Sequence, residues 1–177
     1  QVLYDEAPEC ALNPKKGFVA LNTKLQEGDT TTFVFPIENI GKKTFNDSLV
    51  ITYWLEDNQS NKVMQSQKLK RKLFAPGEVI LDTVKISSLQ LIGNNVFWTY
   101  INPAGNSKYQ IEQFQFNNIG RYSFSVNKDV TNPLLDVTFD GYRILNGDLV
   151  SAKPKILITL KDENKFLALN DTNSFEV

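Results

Sequence analysis

Between Thr31 and Val126, apolar residues recur at every second position in short runs, and each run stops at a cluster of Asn, Asp, Gly or Pro. A period of two belongs to an extended strand with one buried face, and the intervening residue types reverse a chain. The clearest run, Thr31 to Gly41, puts Phe33, Phe35 and Ile37 on one face. Pro36 within it cannot donate a ladder hydrogen bond, which predicts an edge position or a bulge.

Other runs follow the same rule. Phe18 to Leu21 reads as a short first edge strand, and Asp47 to Asp57, apolar on both faces in part, as a central one. Lys62 to Leu73 is rich in Gln and Lys; with Lys68, Lys70, Arg71 and Lys72 it reads as a solvated edge strand, where charge discourages pairing with other chains. Ala75-Pro76-Gly77 marks a turn. From Glu78 to Ile86 the apolar phase shifts by one residue between Leu81 and Val84, which predicts a bulge. Val96, Trp98 and Tyr100 share a face, and Phe114 to Val126 reads as a last pair of short strands around Asn117-Asn118.

The expected fold is all-β, with residues 18–131 as one antiparallel Ig-like β-sandwich of about seven strands. Its expected core is Phe33, Phe35, Ile37, Ile51, Tyr53, Leu81, Trp98 and Phe124. Residues 1–17, with Pro8, Cys10 and Pro14 and no period, read as a lead-in or linker. A second alternating pattern occupies residues 132–177, with strands expected in Leu135 to Ile144, Val150 to Lys161 and Phe166 to Leu169. That span is short of the roughly 100 residues of such a domain, so it reads as the first strands of a second Ig-like domain. Its apolar face, Val137, Phe139, Ile144, Ile156, Ile158 and Leu160, then needs cover from outside the segment.

Composition narrows the function. Lys and Arg number 19 against 20 Asp and Glu, a formal charge of -1, which gives no electrostatic reason for a nucleic-acid partner. No run approaches the roughly 18 apolar residues of a membrane-spanning helix. Gln1 to Glu6 lacks the basic and apolar regions of a secretory signal, so either the chain is cytosolic or an upstream region has been removed. Cys10 is the single cysteine, so no disulfide forms within the chain.

The sequence contains no histidine. Nucleophilic catalysis by Ser or Cys usually needs a His base, and zinc sites usually need His or several Cys. Cys10 therefore reads as a small residue in a Pro-containing segment rather than a nucleophile. The paired carboxylates Glu56-Asp57, and Asp162-Glu163 with Asp171, read as acids of turns and strand ends rather than a glycosidase pair. Asp140, Asp148, Asp162 and Asn164 could offer oxygen ligands to calcium, but no loop has the spacing of an EF-hand. No catalytic, cofactor-binding or metal residue is expected, and no cofactor. Tyr53, Trp54, Trp98 and Tyr100 fit either an aromatic platform for sugar or filling between packed sheets, and the filling is the favoured reading.

Several words in the chain carry a family resemblance. Phe35-Pro-Ile-Glu-Asn-Ile-Gly41, Asp47-Ser-Leu-Val-Ile-Thr-Tyr53, Ala75-Pro-Gly-Glu78 and Glu112 leading to Phe116-Asn-Asn-Ile119 resemble the CARDB type of Ig-like domain. Val2-Leu-Tyr-Asp-Glu-Ala-Pro-Glu-Cys10, Leu25-Gln-Glu-Gly-Asp29, Asn132 to Gly141, Ile144 to Ser151 and Leu160-Lys-Asp-Glu-Asn164 look like the region downstream of the catalytic domain in gingipain-like cysteine peptidases of Bacteroidota type IX secretion systems.

The resemblance implies a non-catalytic spacer or docking module of a large secreted protein at the surface of a Gram-negative cell, with the peptidase chemistry upstream. Its partners would be other domains of the parent protein and an outer-membrane secretion barrel; some relatives act as the sortase of the system. Under it, the Asn46, Asn58 and Asn170 glycosylation-like triplets are chance matches, whereas Asp29-Thr-Thr31, Asp47-Ser-Leu49 and Asp82-Thr-Val84 resemble Bacteroidota O-glycosylation sites. The alternative on the residues alone is an adhesion or carbohydrate-binding module with exposed Trp and Tyr.

Overall fold

The computed structural model describes residues 7–13, 15, 18–22, 24–57, 59, 61–70 and 73–162. They form two compact units, Gln1–Lys128 and Asp129–Val177. The first holds β1 (Cys10–Leu12), β2 (Val19–Ala20), β3 (Lys24–Gln26), β4 (Thr30–Asn39), β5 (Leu49–Glu56), β6 (Lys62–Lys70), β7 (Val79–Ser87), β8 (Gly93–Ile101) and β9 (Ile119–Asn127). One sheet has β4 at its centre, with β7 on one side and β1 and β2 on the other; the second runs β3-β9-β8-β5-β6. Every pairing is antiparallel except β3 with β9, which is parallel. The opening segment is thus shared between the two sheets, and the result is an Ig-like sandwich.

Alternation explains the core. Phe33, Phe35 and Ile37 point inward from β4, Leu49, Ile51 and Leu55 from β5, Phe97 and Ile101 from β8, and Phe124 and Val126 from β9. Phe33 and Phe97 stack across the two sheets, with centroids 4.2 Å apart. Each such side chain contributes roughly 1.5–3 kcal/mol when fully buried.

Several expectations are corrected. The supposed lead-in supplies β1, which pairs with the end of β4 through Cys10↔Asn39 and Leu12↔Ile37. Pro36 lies neither at an edge nor at a bulge. Its carbonyl accepts from the Asn13 N–H, so it faces the β1–β2 side. There the β2 pairs cover Phe33 and Val34 and the β1 pairs start at Ile37, and the missing N–H falls in the gap between them. Asn117-Asn118 is not a turn between two strands but part of a 3-10 turn, Phe116–Asn118, leading into the single strand β9.

β7 has no bulge: its pairing with β4 is continuous from Thr30↔Ser87 to Glu38↔Val79. The apolar phase breaks because Asp82 takes an inward position between Ile80 and Val84, leaving Leu81 outside and 62% exposed. Trp98 is also outside the core, because Phe97 and Thr99 take the inward phase of β8. Tyr53 faces inward, half-buried, against Phe97.

Asp82 is buried, and its partners come from the other sheet. Lys70 Nζ lies 2.6 Å and Lys68 Nζ 3.3 Å from its carboxylate. Lys68 also donates to the Thr83 carbonyl and lies over the Tyr53 ring. These lysines are opposite Ile51 and Leu49 in register, so on β6 they point inward rather than into solvent. They close the side of the sandwich where β6 and β7 form free edges; Arg71 and Lys72 lie outside the described residues.

In the second unit, β10 (Leu134–Phe139) pairs antiparallel with β11 (Ile156–Lys161). Leu135, Val137 and Phe139 sit directly opposite Leu160, Ile158 and Ile156, so one face collects all six. Leu135, Ile156 and Ile158 are 57%, 51% and 41% exposed. The strand expected at Phe166 to Leu169 lies outside the described residues.

Asymmetric energetics are expected at Asp82. Replacing Lys68 and Lys70 together by Ala strands a buried carboxylate and should cost about 3–5 kcal/mol, whereas Asp82→Leu should lie within about 1 kcal/mol of the native protein or above it. Urea unfolding followed by tryptophan fluorescence measures both, since Trp54 and Trp98 are in the first unit.

Candidate functional site

The outward phase of the five-stranded sheet brings together Lys62 of β6, Trp54 and Glu56 of β5, Trp98 of β8 and Arg121 of β9. Trp54 is directly opposite Trp98, and Trp98 opposite Arg121. The indoles lie parallel at 5.7 Å between centroids and 5° between planes, an offset stack. Lys62 Nζ lies 5.0 Å from the Trp54 ring and the Arg121 guanidinium 5.8 Å from that of Trp98. Because β6 and β8 flank β5 on opposite sides, each indole has a neighbour on both faces. Both Nε1–H groups donate to Glu56, at 2.9 Å from Trp54 and 2.8 Å from Trp98.

Sugar platforms need a ring face open to solvent. Here the faces are occupied, and the stack contributes about 0.5–1.5 kcal/mol, each exposed cation over a ring about 0.5–1 kcal/mol more. Of the other two aromatics, Tyr100 shares this face and donates its hydroxyl to Gln115, while Tyr53 points inward. Beside the ladder lies an open groove of mixed polar and apolar lining, formed by Asp57, Asn94, Asn95, Val96, Ser123, Phe124 and Ser125. Glu56 and Asp57 do not face each other across it as a catalytic pair would. Asp57 is turned onto its own loop, accepting from Gln59 N–H, Asn61 N–H and the Asn61 amide, and the Asn61 bonds hold its carboxyl below the usual range.

Sequence reasoning missed a second cluster. Glu112 is buried, and its carboxylate accepts from Cys10 N–H at 2.5 Å, from the Asn102 and Asn118 amides at 2.5 and 2.7 Å, and from Gln115 at 3.4 Å. Glu9, also buried, accepts from Gln113 N–H, Phe114 N–H and the Asn117 amide. Asn102 sits at φ 47°, a backbone region Asn tolerates, which is the one local signal pointing to this loop. Gly41 is required here: a Cβ on it would lie 2.5 Å from the Glu9 nitrogen.

Burial pushes the Glu112 carboxyl above its ordinary value, against the lowering effect of its donors. Burial, followed by the Glu112 charge, pushes the Cys10 thiol well up. A carboxylate therefore does stand beside Cys10, yet the thiol is fully buried and held neutral, the opposite of an activated nucleophile.

No family model and no curated protein matches the sequence. Among solved structures, the chain is similar to the CARDB domain of the PF1109 protein from Pyrococcus furiosus. The crystal structure of that domain, in complex with di-metal ions, aligns with a TM-score of 0.50 at 12% identity over 70% of this chain and 97% of that one. Its solution NMR structure aligns with a TM-score of 0.50 at 11% identity over 69% and 97%. The sandwich has the fold of a CARDB domain.

Of the candidate calcium ligands, Asp140 and Asp148 serve turns of the second unit. Asp140 accepts from Lys155 N–H and Ser151 Oγ–H, and Asp148 from Leu145 N–H. Asn164, Glu163 and Asp171 lie outside the described residues. Among the described residues, no three of His, Cys, Asp and Glu form a metal-ligand set.

Two outcomes are expected. Glu56→Ala should weaken the exciton doublet that two parallel indoles give in circular dichroism and cost about 1–2 kcal/mol by removing two hydrogen bonds. For Glu112, a folded pKa above the unfolded one means that the native state binds the proton more readily. Its contribution is therefore most favourable below the ordinary carboxylate pKa and is lost as pH rises through the elevated value. Relative to Glu112→Gln, the native protein should gain stability as pH falls through that window, as measured by urea unfolding at each pH.

Proposed function

We propose that this chain is a non-catalytic Ig-like module of a large secreted, cell-surface peptidase of the gingipain-like kind, serving as spacer and docking domain. Its partners are the other domains of its parent and, at the outer membrane, a secretion-system barrel. The observation carrying this reading is the outer-face ladder, whose rings, indole donors and carboxylate satisfy one another and leave no aromatic platform for a ligand. The CARDB fold, the absence of histidine and the sequence words shared with the region downstream of such catalytic domains all support it. On this reading the chain itself has no peptidase, glycosidase or esterase activity.

Antibody against the chain, applied to intact and protease-shaved cells of the source bacterium, tests the proposal. The epitope should be surface-exposed and carried on a polypeptide far longer than 177 residues. An epitope found only inside the cell overturns it.

The second reading, an adhesion or carbohydrate-binding module, has in its favour the open groove in which Asp57, Asn94, Ser123 and Ser125 stand beside Val96 and Phe124. A glycan array decides between them: no saturable binding is expected, and binding abolished by Ser123→Ala with Ser125→Ala would favour the second.

A further inference from the structure

Among the described residues β7 pairs with β4 alone, so its other side is an open edge. The bonds that flank this ladder decide which backbone groups face that edge. Asn39 N–H donates to the Glu78 carbonyl and Ser88 N–H to the Asp29 carbonyl, and both pairs continue the β4–β7 register. Hydrogen-bonded pairs of an antiparallel ladder fall on every second residue. The even-numbered residues of β7 therefore bond to β4, and Val79, Leu81, Thr83, Lys85 and Ser87 turn their N–H and C=O groups to the open side. With Val79, Ile80, Thr83, Val84 and Ile86 all β-branched, such an edge is a template for a further strand.

The template fits a second copy of itself. Two β7 strands laid antiparallel about Thr83 set Leu81 against Lys85 and Val79 against Ser87, and on the inward phase Ile80 against Ile86 and Asp82 against Val84. No like charges face each other, and aliphatic side chains meet on the phase that each sandwich turns to its core. Each residue with open backbone groups gains a hydrogen-bonded partner, and Thr83 meets its own counterpart at the centre.

Lys68 occupies that centre. Its ammonium reaches over from β6 of the other sheet, donates to the Thr83 carbonyl and lies 3.3 Å from one oxygen of Asp82; Lys70 lies 2.6 Å from the other oxygen. Asp82 thus has an ammonium in Lys70, and Lys68 is the one that covers the edge. A strand arriving at Thr83 must break a charge-assisted hydrogen bond and bring its own N–H against an ammonium. We infer that β7 is a self-pairing edge held shut by Lys68, which keeps two copies of the chain from joining through a two-fold β7–β7 ladder centred on Thr83.

Sedimentation of the full chain over a concentration series tests it. Lys68→Met keeps the apolar stem and leaves Lys70 on Asp82, and it should shift the chain toward a dimer at concentrations where the native chain stays monomeric. Adding Thr83→Pro should restore the monomer, because it removes the central N–H of the open side and none from the β4 ladder. A Lys68→Met chain that self-associates no more than the native one, or whose self-association survives Thr83→Pro, overturns the inference. A readout on the native chain needs no variant to fold. By NMR, the Lys68 ammonium hydrogens should exchange with water several-fold more slowly than those of the exposed Lys85, and equal rates overturn the inference as well.

Discussion

Two buried carboxylates, Glu9 and Glu112, hold the first strand of this sandwich. β1 has three register pairs with β4, and backbone hydrogen bonds at about 0.5–1.5 kcal/mol each would leave so short a strand frayed. Bonds to charged groups contribute about 1.5–3 kcal/mol, and Glu9 and Glu112 make them to both backbone and amide donors around the same few residues. Burying a carboxylate is costly, and the upward shift at Glu112 shows that its donors do not fully offset that cost. The cluster is therefore a fastening with some strain in it, held because removing the acceptor would leave four N–H donors unsatisfied at once.

The same economy of polar groups recurs elsewhere. Asp82 would be intolerable between Ile80 and Val84 without Lys68 and Lys70 reaching across from the other sheet. Glu56 would be an ordinary surface acid without the two indoles that donate to it. At Asp82 and Glu56 the polar departure from strict alternation is resolved by side chains from a different strand. The outward phase of the β4-centred sheet carries exposed apolar residues, Val19 of β2 with Val79 and Leu81 of β7.

Alternation was enough to read β4 and to read β6 as an edge, and apolar residues on both faces marked β5 as an inner strand. It failed where both phases could pass for apolar. On β8, Val96, Trp98 and Tyr100 are bulkier than Asn95, Phe97, Thr99 and Ile101, so the outer face looked like the core. The inner face works because the Asn95 amide is satisfied by the Leu91 and Gly93 carbonyls. On β7 a buried acid imitated a bulge, since its lysines lie 12 and 14 residues earlier on another strand. β1 was illegible for a related reason. Its three residues carry no period, and the carboxylate that binds it is 102 positions away. Of the candidate residues, the pairing of Trp54 with Trp98 depended on strand order, which no local pattern encodes.

In the described part of the second unit, a turn and its polar contacts set the register of β10 and β11. Asp140 and Gly141 have φ of 51° and 87°, the backbone of a tight primed turn, and Phe139 exchanges both backbone hydrogen bonds with Tyr142 across it. Asp140 then ties the returning chain, its N–H donating to the Lys155 carbonyl and its carboxylate accepting from Lys155 N–H. Arg143 grips Asp136 through two parallel bonds at 2.8 and 2.9 Å. These contacts deliver β11 to β10 with Phe139 facing Ile156, and every following pair then has its side fixed by the pleat. Leu135, Val137, Phe139, Ile156, Ile158 and Leu160 accordingly share a face although half of them are largely exposed. A two-stranded ribbon is marginal in water by burial alone, so among the described residues turn chemistry and a bidentate ion pair fix how β10 and β11 align.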